Sequence, residues 1–337
     1  MTDAMNSYVQ TNGLRIHQYA ALEPGVRLIV LGAVHGNEVC GTQAIERLIA
    51  DLDQHTVRLL RGHLTLVPIT NPLAYQRNQR GADRNLNRNL RLTAQPQDYE
   101  DRIANVLCPL LDQHNVLLDL HSFHTGGEPF AMIGPATNQG ALEPFTFDLE
   151  EERLALRLGT RRLVEGWLDT YALGVKNRLA RVGEGADTLT ERTQLLNTDP
   201  SYGIGTTEYM RSRGGYAITL ECGQHVNPQA PEVGYQALRN TLAHLGMLNE
   251  TSPTACQSVE FLRLVQVTDR LHAQDAFSQP WQSFDPVKQG QQIGTRLGGA
   301  VVTAPSDGYI VFPNPVALPG NEWFYFAQQS PRCLRAD

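Results

Sequence analysis

Apolar runs alternate with helical patterns over the first 250 residues of this chain. Residues 14–20 and 26–34 have the pattern of strands, and the second run is apolar and β-branched enough to be buried on both faces. Residues 41–52 place apolar side chains at helical spacing, and a further apolar run follows at Leu64–Ile69. Strand, helix and strand in this order make a βαβ unit, so the pattern predicts a parallel sheet.

The same alternation continues further along the chain. It predicts a helix over residues 98–113, a buried strand at Val116–Leu120, the longest helix over 149–172, a strand at Tyr216–Leu220 and a helix over 232–248. Residues 181–206 are polar and glycine-rich with no clear period, so we expect a long loop there, a candidate lid.

The pattern changes near residues 249–257. From there, short β-type runs alternate with Gly, Pro and Asn turns. We therefore predict two domains, an α/β domain over residues 1–250 and a small all-β barrel or sandwich over residues 256–337. The expected fold class is α/β, with a mixed, largely parallel sheet flanked by helices.

Composition and charge exclude several classes of protein. The 337 residues carry a net charge of −7, which gives no reason to expect nucleic-acid binding. No apolar run is long enough to span a bilayer, and the N-terminal residues lack the pattern of a signal peptide. Five scattered cysteines without a C-x-x-C pair fit reduced thiols, so we expect a cytoplasmic protein.

Candidate metal ligands stand at the ends of three predicted strands. His35 and Glu38 follow the buried run 26–34, while His121 and Glu221 each end a later strand. Taken singly, His121 could be a hydrogen-bonded core histidine and Glu221 a salt-bridged carboxylate at the rim. Ligands of open parallel sheets bind beyond the carboxyl ends of the strands, and imidazole with carboxylate suits zinc. Their joint placement therefore favours a divalent metal site.

Residues 77–91 hold five arginines and four asparagines. Such a segment is either a solvated basic loop or a surface that recognises anions, because arginine binds carboxylates through two parallel hydrogen bonds.

Taken together, these motifs resemble the succinylglutamate desuccinylase/aspartoacylase family of the zinc carboxypeptidase superfamily. The matching motifs occur in order along the chain: HGNE at 35–38, the NP-x-A turn at 71–74, Arg80 eight residues before Arg88, DLHS at 119–122 and TLECG at 219–223. The resemblance implies a carboxypeptidase-like catalytic domain over residues 1–250, and the β-rich segment fits the C-terminal domain of that family.

The resemblance also implies roles for individual residues. His35, Glu38 and His121 would hold one zinc ion and leave a coordination position open. Glu221 would take a proton from the attacking water and deliver it to the leaving amine, and Arg80 would stabilise the oxyanion.

Contacts to the substrate are implied at three further positions. Asn87 and Arg88 would bind a carboxylate of the amino-acid part of the substrate. The family also places substrate contacts shortly before the strand of Glu221, where this chain has Tyr209, Arg211 and Arg213. Of these three, Arg211 matches best by its spacing from Glu221.

The chain departs from the family at Asn85. The family usually has an aspartate there, which accepts a hydrogen bond from a ligand histidine; an amide oxygen can accept the same bond without adding negative charge. Asp83 is a candidate substitute, and Asp119 is either a partner of the ligand histidine or a buried hydrogen-bonding group. We expect His124 to be a solvated or substrate-facing loop residue and Cys222 a small buried residue.

The motifs and the resemblance together predict a zinc-dependent hydrolase that cleaves the amide bond of N-acyl amino acids and acts on small molecules, with a homo-oligomer as a candidate assembly. Two alternatives remain open. One is a carboxypeptidase-type peptidase, which would use the same residues on longer substrates. The other is a non-catalytic relative that binds a metal or ligand, although the presence of both Glu221 and Arg80 argues against it. The C-terminal segment also resembles a biotinyl/lipoyl-type barrel and is expected to be structural.

Overall fold

The computed structural model describes residues 13–136, 143, 145–183 and 198–335. Within these residues the main element is a mixed sheet of eleven strands, accompanied by a second sheet of three. The strands are β1 (His17–Ala20), β2 (Glu23–Leu31), β3 (Arg61–Val67), β4 (Val116–Phe123), β5 (Phe130–Met132), β6 (Arg162–Glu165), β7 (Tyr216–Gln224), β8 (Glu260–Asp269), β9 (Ala276–Phe277), β10 (Pro286–Val287), β11 (Gln292–Thr295), β12 (Val301–Thr303), β13 (Gly308–Val311) and β14 (Glu322–Gln329).

The helices connect the strands of the first 250 residues. They are α1 (Cys40–Asp53), α2 (Pro72–Arg77), α3 (Tyr99–Leu111), α4 (Asp148–Ala155), α5 (Trp167–Gly183), α6 (Thr206–Ser212) and α7 (Ala230–His244), with a short 3₁₀ helix at Pro200–Gly203. No helix among the described residues is long and apolar enough to cross a membrane.

The main sheet has the strand order β1-β3-β2-β4-β7-β5-β6-β8-β14-β13-β10. Strands β3, β2, β4 and β7 run parallel to one another, β5 is antiparallel to β7, and β5, β6 and β8 are again parallel. The predicted fold class, a mixed sheet flanked by helices, is therefore confirmed.

Alternate residues of β2 enter two different cores. Leu28 and Val30 pack in the cluster that includes α1 and α7, whereas Ile29 and Leu31 pack in the cluster that includes α3. Because side chains of a strand alternate between the faces of a sheet, helices cover both faces here. This explains why β2 and β4 read as continuous apolar runs.

The single long helix predicted over residues 149–172 is wrong. The structure has α4 at Asp148–Ala155, then strand β6, then α5 from Trp167. Gly159 and Gly166 break the helical path with φ angles of +101° and +85°, which an L-residue adopts only with strain. The leucines at helical spacing therefore do not mark one helix, because Leu163 is buried in a strand.

The long loop predicted over residues 181–206 lies partly outside the described residues, which omit 184–197. Of the remainder, Pro200–Gly203 forms a 3₁₀ turn and Thr206 begins α6. The nearby α2, which begins at the NP-x-A turn with Asn71 as its N-cap, was not predicted.

Strand β8 joins the C-terminal strands to the main sheet. Val164 of β6 pairs with Leu262 of β8 in parallel, and β8, β14, β13 and β10 then follow as antiparallel neighbours. The predicted boundary near residue 255 falls between α7 and β8. The β-rich segment is thus continuous with the sheet that carries the candidate ligands.

Candidate active site

The ends of three neighbouring strands bring the predicted site residues together. Strand β4 lies between β2 and β7 in the sheet, and His121 of β4 pairs in register with Glu221 of β7. The HGNE turn follows β2 and packs on α2 so closely that a Cβ on Gly36 would lie 2.0 Å from the carbonyl carbon of Ala74. A glycine is therefore required at position 36 if the turn is to place His35 and Glu38 in the site.

His35, Glu38 and His121 form a buried cluster in which one candidate ligand atom from each lies within 4.8 Å of the others. Glu38 bridges the two rings, because its Oε1 lies 2.9 Å from Nδ1 of His35 and its Oε2 lies 2.8 Å from Nδ1 of His121. Burial alone would raise the pKa of Glu38, but the two histidines lower it well below its usual range. Within the described residues, no other group of this kind is found.

The outer nitrogens of both rings show that this cluster fits a metal. Nε2 of His35 lies 2.9 Å from the amide oxygen of Asn85, and Nε2 of His121 lies 3.0 Å from a carboxylate oxygen of Asp119. An acceptor beside each outer nitrogen favours the tautomer that keeps the proton there, which leaves the lone pair of Nδ1 for a ligand. Two such nitrogens and the carboxylate of Glu38 are a donor set that suits a divalent cation.

Asn85 occupies the position that the sequence suggested. Its Oδ1 also accepts a hydrogen bond of 2.8 Å from the backbone N–H of Asn87, which fixes the orientation of the amide. Asp83 does not replace it, because its carboxylate accepts the N–H of Tyr99 at the start of α3.

Asp119 contacts the ligand histidine directly. Its Oδ2 also accepts a 2.5 Å hydrogen bond from the hydroxyl of Thr206. The backbone N–H of Thr206 donates in turn to Oδ1 of Asn87 at 2.8 Å. Thr206 therefore couples the metal side of the site to the arginine–asparagine loop, a role that no sequence signal indicated.

Glu221 lies beside the cluster as a buried carboxylate with little solvation. Its residue is 6% exposed, and its Oε2 has no hydrogen-bond partner among the described residues. Burial, with the nearby charge of Glu38, raises its pKa to about 8, against the opposing effect of His121. A carboxyl group so placed can accept and release a proton near neutral pH.

Arg80 also contacts the cluster. Its Nη1 lies 3.1 Å from Oε1 of Glu38, while its side chain stays 50% exposed and lines the cavity. The guanidinium can therefore contact a bound molecule with the donors that do not face Glu38.

Buried charges hold the arginine–asparagine loop in place. Glu100 accepts the backbone N–H groups of residues 82, 83 and 84 through its two carboxylate oxygens. Arg84 is buried between Asp98 and Asp101, both at 2.9 Å, and donates to the backbone carbonyls of Asn85 and Arg88. Residues 84–90 are thus an ordered, largely buried part of the site, whereas Arg77, Arg80 and Arg91 of the same segment are exposed.

Asn87 and Arg88, for which the resemblance implies contacts to a substrate carboxylate, both line the cavity. Arg88 is buried over the rings of Trp167 and Tyr171, at 4.7 and 5.1 Å, and its Nη2 lies 3.8 Å from Glu322. Its one hydrogen bond among the described residues is from Nη1 to the carbonyl of Asn87. Most of its donors are therefore available to a bound anion.

Arg211 also lines the cavity, but its donors are engaged. Five hydrogen bonds leave its guanidinium, to Glu151 twice, to Glu143, to Glu208 and to the carbonyl of Ala217. Tyr209 and Arg213 do not line the cavity; both bind Asp112 on the far side of α6. Of the three candidates, Arg211 alone reaches the site.

His124 lines the cavity too, with its ring 4.9 Å from that of His225. His225, which the sequence reading did not single out, is held by a 2.8 Å hydrogen bond between its Nδ1 and Ser122 Oγ. Cys222 is buried within the core, as expected.

The C-terminal strands supply part of the cavity wall. Glu322 and Tyr325 of β14, and the 312–314 segment after β13, line it together with the residues of the catalytic strands. Tyr325 is buried and its hydroxyl has no hydrogen-bond partner among the described residues. These residues carry no recognisable motif, so only the folded sheet reveals them.

Comparison with known proteins agrees with this geometry. Residues 24–134 match the family model described as the succinylglutamate desuccinylase/aspartoacylase catalytic domain, the family that the motifs resemble. No curated protein matches the chain significantly.

Solved structures share the fold over nearly the whole chain. A succinylglutamate desuccinylase/aspartoacylase from Rhodobacter sphaeroides is 17% identical with a TM-score of 0.69, covering 95% of this chain and 90% of its own. The product-bound ectoine utilization protein EutE (DoeB) from Ruegeria pomeroyi is 19% identical with a TM-score of 0.66, at 93% and 88% coverage. A succinylglutamate desuccinylase from Vibrio cholerae is 16% identical with a TM-score of 0.66, at 93% and 85% coverage.

Proposed function

We propose that this chain, a member of the succinylglutamate desuccinylase/aspartoacylase family by its catalytic domain, is a zinc-dependent hydrolase that cleaves N-acyl amino acids into a carboxylic acid and an amino acid. The observation that carries the proposal is the position of Glu221. This buried carboxyl group lies beside the cluster of two imidazoles and one carboxylate, and one of its oxygens accepts no hydrogen bond from the residues that the structure describes.

His35, Glu38 and His121 would hold the metal through Nδ1, the carboxylate and Nδ1 respectively. A zinc ion bound there supplies Lewis-acid polarisation of the amide carbonyl and activation of water. Asn85 and Asp119, each about 3 Å from an outer ring nitrogen, would keep the ring protons there, so that the inner nitrogens can bind the metal.

The remaining residues would carry the proton and bind the substrate. Glu221 takes a proton from water as the oxygen attacks the amide carbon, then gives that proton to the amine nitrogen as the C–N bond breaks. Arg80, which is half exposed, stabilises the negative oxygen. Asn87 and Arg88 bind the α-carboxylate, since the described part of the chain leaves most donors of Arg88 without a hydrogen bond.

The C-terminal wall of the cavity supports small substrates over peptides. Residues of strand β14 and the 312–314 segment line the same cavity as the candidate ligands, so the C-terminal strands limit the room for a longer substrate. We therefore favour N-acyl amino acid hydrolysis over the carboxypeptidase alternative.

Hydrolysis of a panel of N-acyl amino acids and of dipeptides by the zinc-loaded protein tests the proposal. We expect release of free amino acid from the N-acyl compounds and loss of at least about 1000-fold in kcat in Glu221→Gln, because proton transfer and water activation depend on this group. Arg213 is a surface residue that does not line the cavity, so Arg213→Gln is the control and should keep full activity. Turnover of dipeptides alone would favour the peptidase. A third outcome is that the zinc-loaded protein hydrolyses nothing, while the wild type and Glu221→Gln bind N-acyl amino acids equally well. The chain would then be a non-catalytic binding protein. The cytoplasmic location and a homo-oligomeric state stay predictions.

A further inference from the structure

A chain of hydrogen bonds begins at the outer nitrogen of one candidate ligand histidine. Nε2 of His35 lies 2.9 Å from Oδ1 of Asn85, and the same oxygen accepts the backbone N–H of Asn87 at 2.8 Å. Asn87, the proposed contact for a substrate carboxylate, is therefore linked to a candidate metal ligand through a single side chain.

Thr206 continues this chain from Asn87 to the second histidine. It is the first residue of α6, where a backbone N–H has no partner within the helix, and that N–H donates to Oδ1 of Asn87 at 2.8 Å. Its hydroxyl donates to Oδ2 of Asp119 at 2.5 Å, and the same oxygen lies 3.0 Å from Nε2 of His121. The hydroxyl also lies 3.4 Å from Oδ1 of Asn87, but it has one proton and the shorter contact takes it. One threonine thus joins the two halves of the chain.

The start of α6 is shaped for the contact with Asn87. A Cβ on Gly205 would lie 1.9 Å from Oδ1 of Asn87, so a side chain at position 205 would exclude the amide from this place. Glu208 accepts the N–H of Gly205 at 2.9 Å and holds the same turn. Because the N–H of Thr206 must pair with the amide oxygen, the NH₂ group of Asn87 is left for other partners, and Asn87 lines the cavity. The N–H of Thr206 therefore orients the group that would bind a substrate carboxylate.

The orientation of Asp119 depends on the hydroxyl of Thr206. Asp119 is fully buried, and its Oδ1 has no hydrogen-bond partner among the described residues. The two polar contacts found there for this carboxylate, with Thr206 and with His121, both use Oδ2. A carboxylate held at one oxygen can turn when one of its two contacts is lost. The hydroxyl therefore fixes the direction from which Asp119 meets the imidazole.

We propose that Thr206 is a positioning residue for the candidate metal site. Its hydroxyl fixes Asp119 and, through it, His121, while its backbone N–H fixes Asn87 independently of the side chain. The inference rests on the metal site of the proposed function, but it concerns the affinity for zinc and is tested without turnover. Loss of the hydroxyl alone weakens zinc binding, because partners of a ligand histidine orient its ring and raise its basicity.

Zinc affinity of the full-length protein, measured by competition with a chromophoric chelator, tests this role in two variants of Thr206. Thr206→Val keeps the shape and the backbone N–H without the hydroxyl. We expect it to weaken zinc binding about tenfold, at the lower end of the range for direct partners of a ligand histidine. Thr206→Ser keeps the hydroxyl and should bind zinc within about twofold of the wild type.

Thr241→Val is the matched control. It removes a buried hydroxyl of α7 that has no hydrogen-bond partner among the described residues, and Thr241 does not line the cavity. Zinc affinity should stay unchanged in this variant. Circular dichroism of each metal-free protein shows that it is folded before the titration.

A double variant shows whether Thr206 acts through Asp119. In an Asp119→Ala background, adding Thr206→Val should change zinc affinity by less than about twofold, because the carboxylate that the hydroxyl positions is already gone. In the hydrolysis assay at saturating zinc, Thr206→Val should lower kcat about 3- to 10-fold with KM within about twofold, since the N–H that holds Asn87 remains.

Three results would overturn the inference. They are wild-type zinc affinity in Thr206→Val, a Thr206→Ser protein as weak as Thr206→Val, and a fully additive loss in the double variant. A wild-type protein that binds zinc but hydrolyses no N-acyl amino acid would contradict the proposed function instead, and the zinc affinities of the variants would still decide the role of Thr206.

Discussion

Replacing Asn85 by aspartate should tighten zinc binding. The amide oxygen of Asn85 lies 2.9 Å from Nε2 of His35, whose other nitrogen faces Glu38. Adding the width of an imidazole and a zinc–nitrogen bond of about 2.1 Å, a carboxylate there would lie about 7 Å from the metal. At a half-buried position with an effective dielectric constant between about 40 and 80, a unit charge at that distance from a divalent ion contributes about 1–2 kcal/mol.

This energy corresponds to a gain of roughly 5- to 30-fold in zinc affinity, within the range found for partners of ligand histidines. The assay is competition against a chromophoric chelator with wild-type protein and Asn85→Asp. Asn78→Asp is the matched control, since it adds the same charge to the same segment at an exposed helix end. Unchanged or weaker zinc binding in Asn85→Asp would refute the role assigned to this side chain.

Three further changes test the framework of the site. Arg84→Met removes the guanidinium that pairs with two buried aspartates and should lower the free energy of unfolding by about 3–5 kcal/mol in urea denaturation. Glu143→Gln should flatten the pH dependence of stability. Because the pKa of Glu143 is raised in the folded state, the wild type should lose about 1–3 kcal/mol of stability as pH rises from about 4.5 to 7. The variant lacks this carboxyl group and should not show the loss. Gly36→Ala forces the metal-binding turn away from α2, where the new Cβ would lie 2.0 Å from Ala74, and should weaken zinc binding at least tenfold by calorimetry.

Opposite outcomes are equally informative. An Arg84→Met protein as stable as the wild type would show that the loop does not depend on this buried arginine. A Glu143→Gln protein with an unchanged stability profile between pH 5 and 8 would place the titrating group elsewhere. Full zinc affinity in Gly36→Ala would mean that the turn has room to relax.

The sequence predicts which side chains form the candidate ligand cluster, because these residues stand next to strong local signals. His35, His121 and Glu221 each follow an apolar run, and parallel strands bring their carboxyl ends to one edge of a sheet. The fold class follows from the same alternation of strands and helices. These features depend on local pattern and on a simple rule of topology.

The parts of the site that the sequence does not predict depend on contacts between residues far apart in the chain. The role of Arg211 could not be read from its spacing to Glu221, because the glutamates that saturate it come from α4, α6 and residue 143. Likewise Thr206 and Tyr325 reach the site through the packing of α6 and β14. Periodicity failed at residues 149–172 because leucines at helical spacing also suit a helix followed by a buried strand.

Titration of zinc into metal-free protein, with the rate of N-acyl amino acid hydrolysis recorded at each addition, tests the central claim most directly. The account predicts no hydrolysis without metal, a rise that ends at one zinc per chain, and no such rise in a His121→Ala protein that stays folded. Hydrolysis that persists in excess chelator, or a fully zinc-loaded protein that never hydrolyses the substrate, would contradict it.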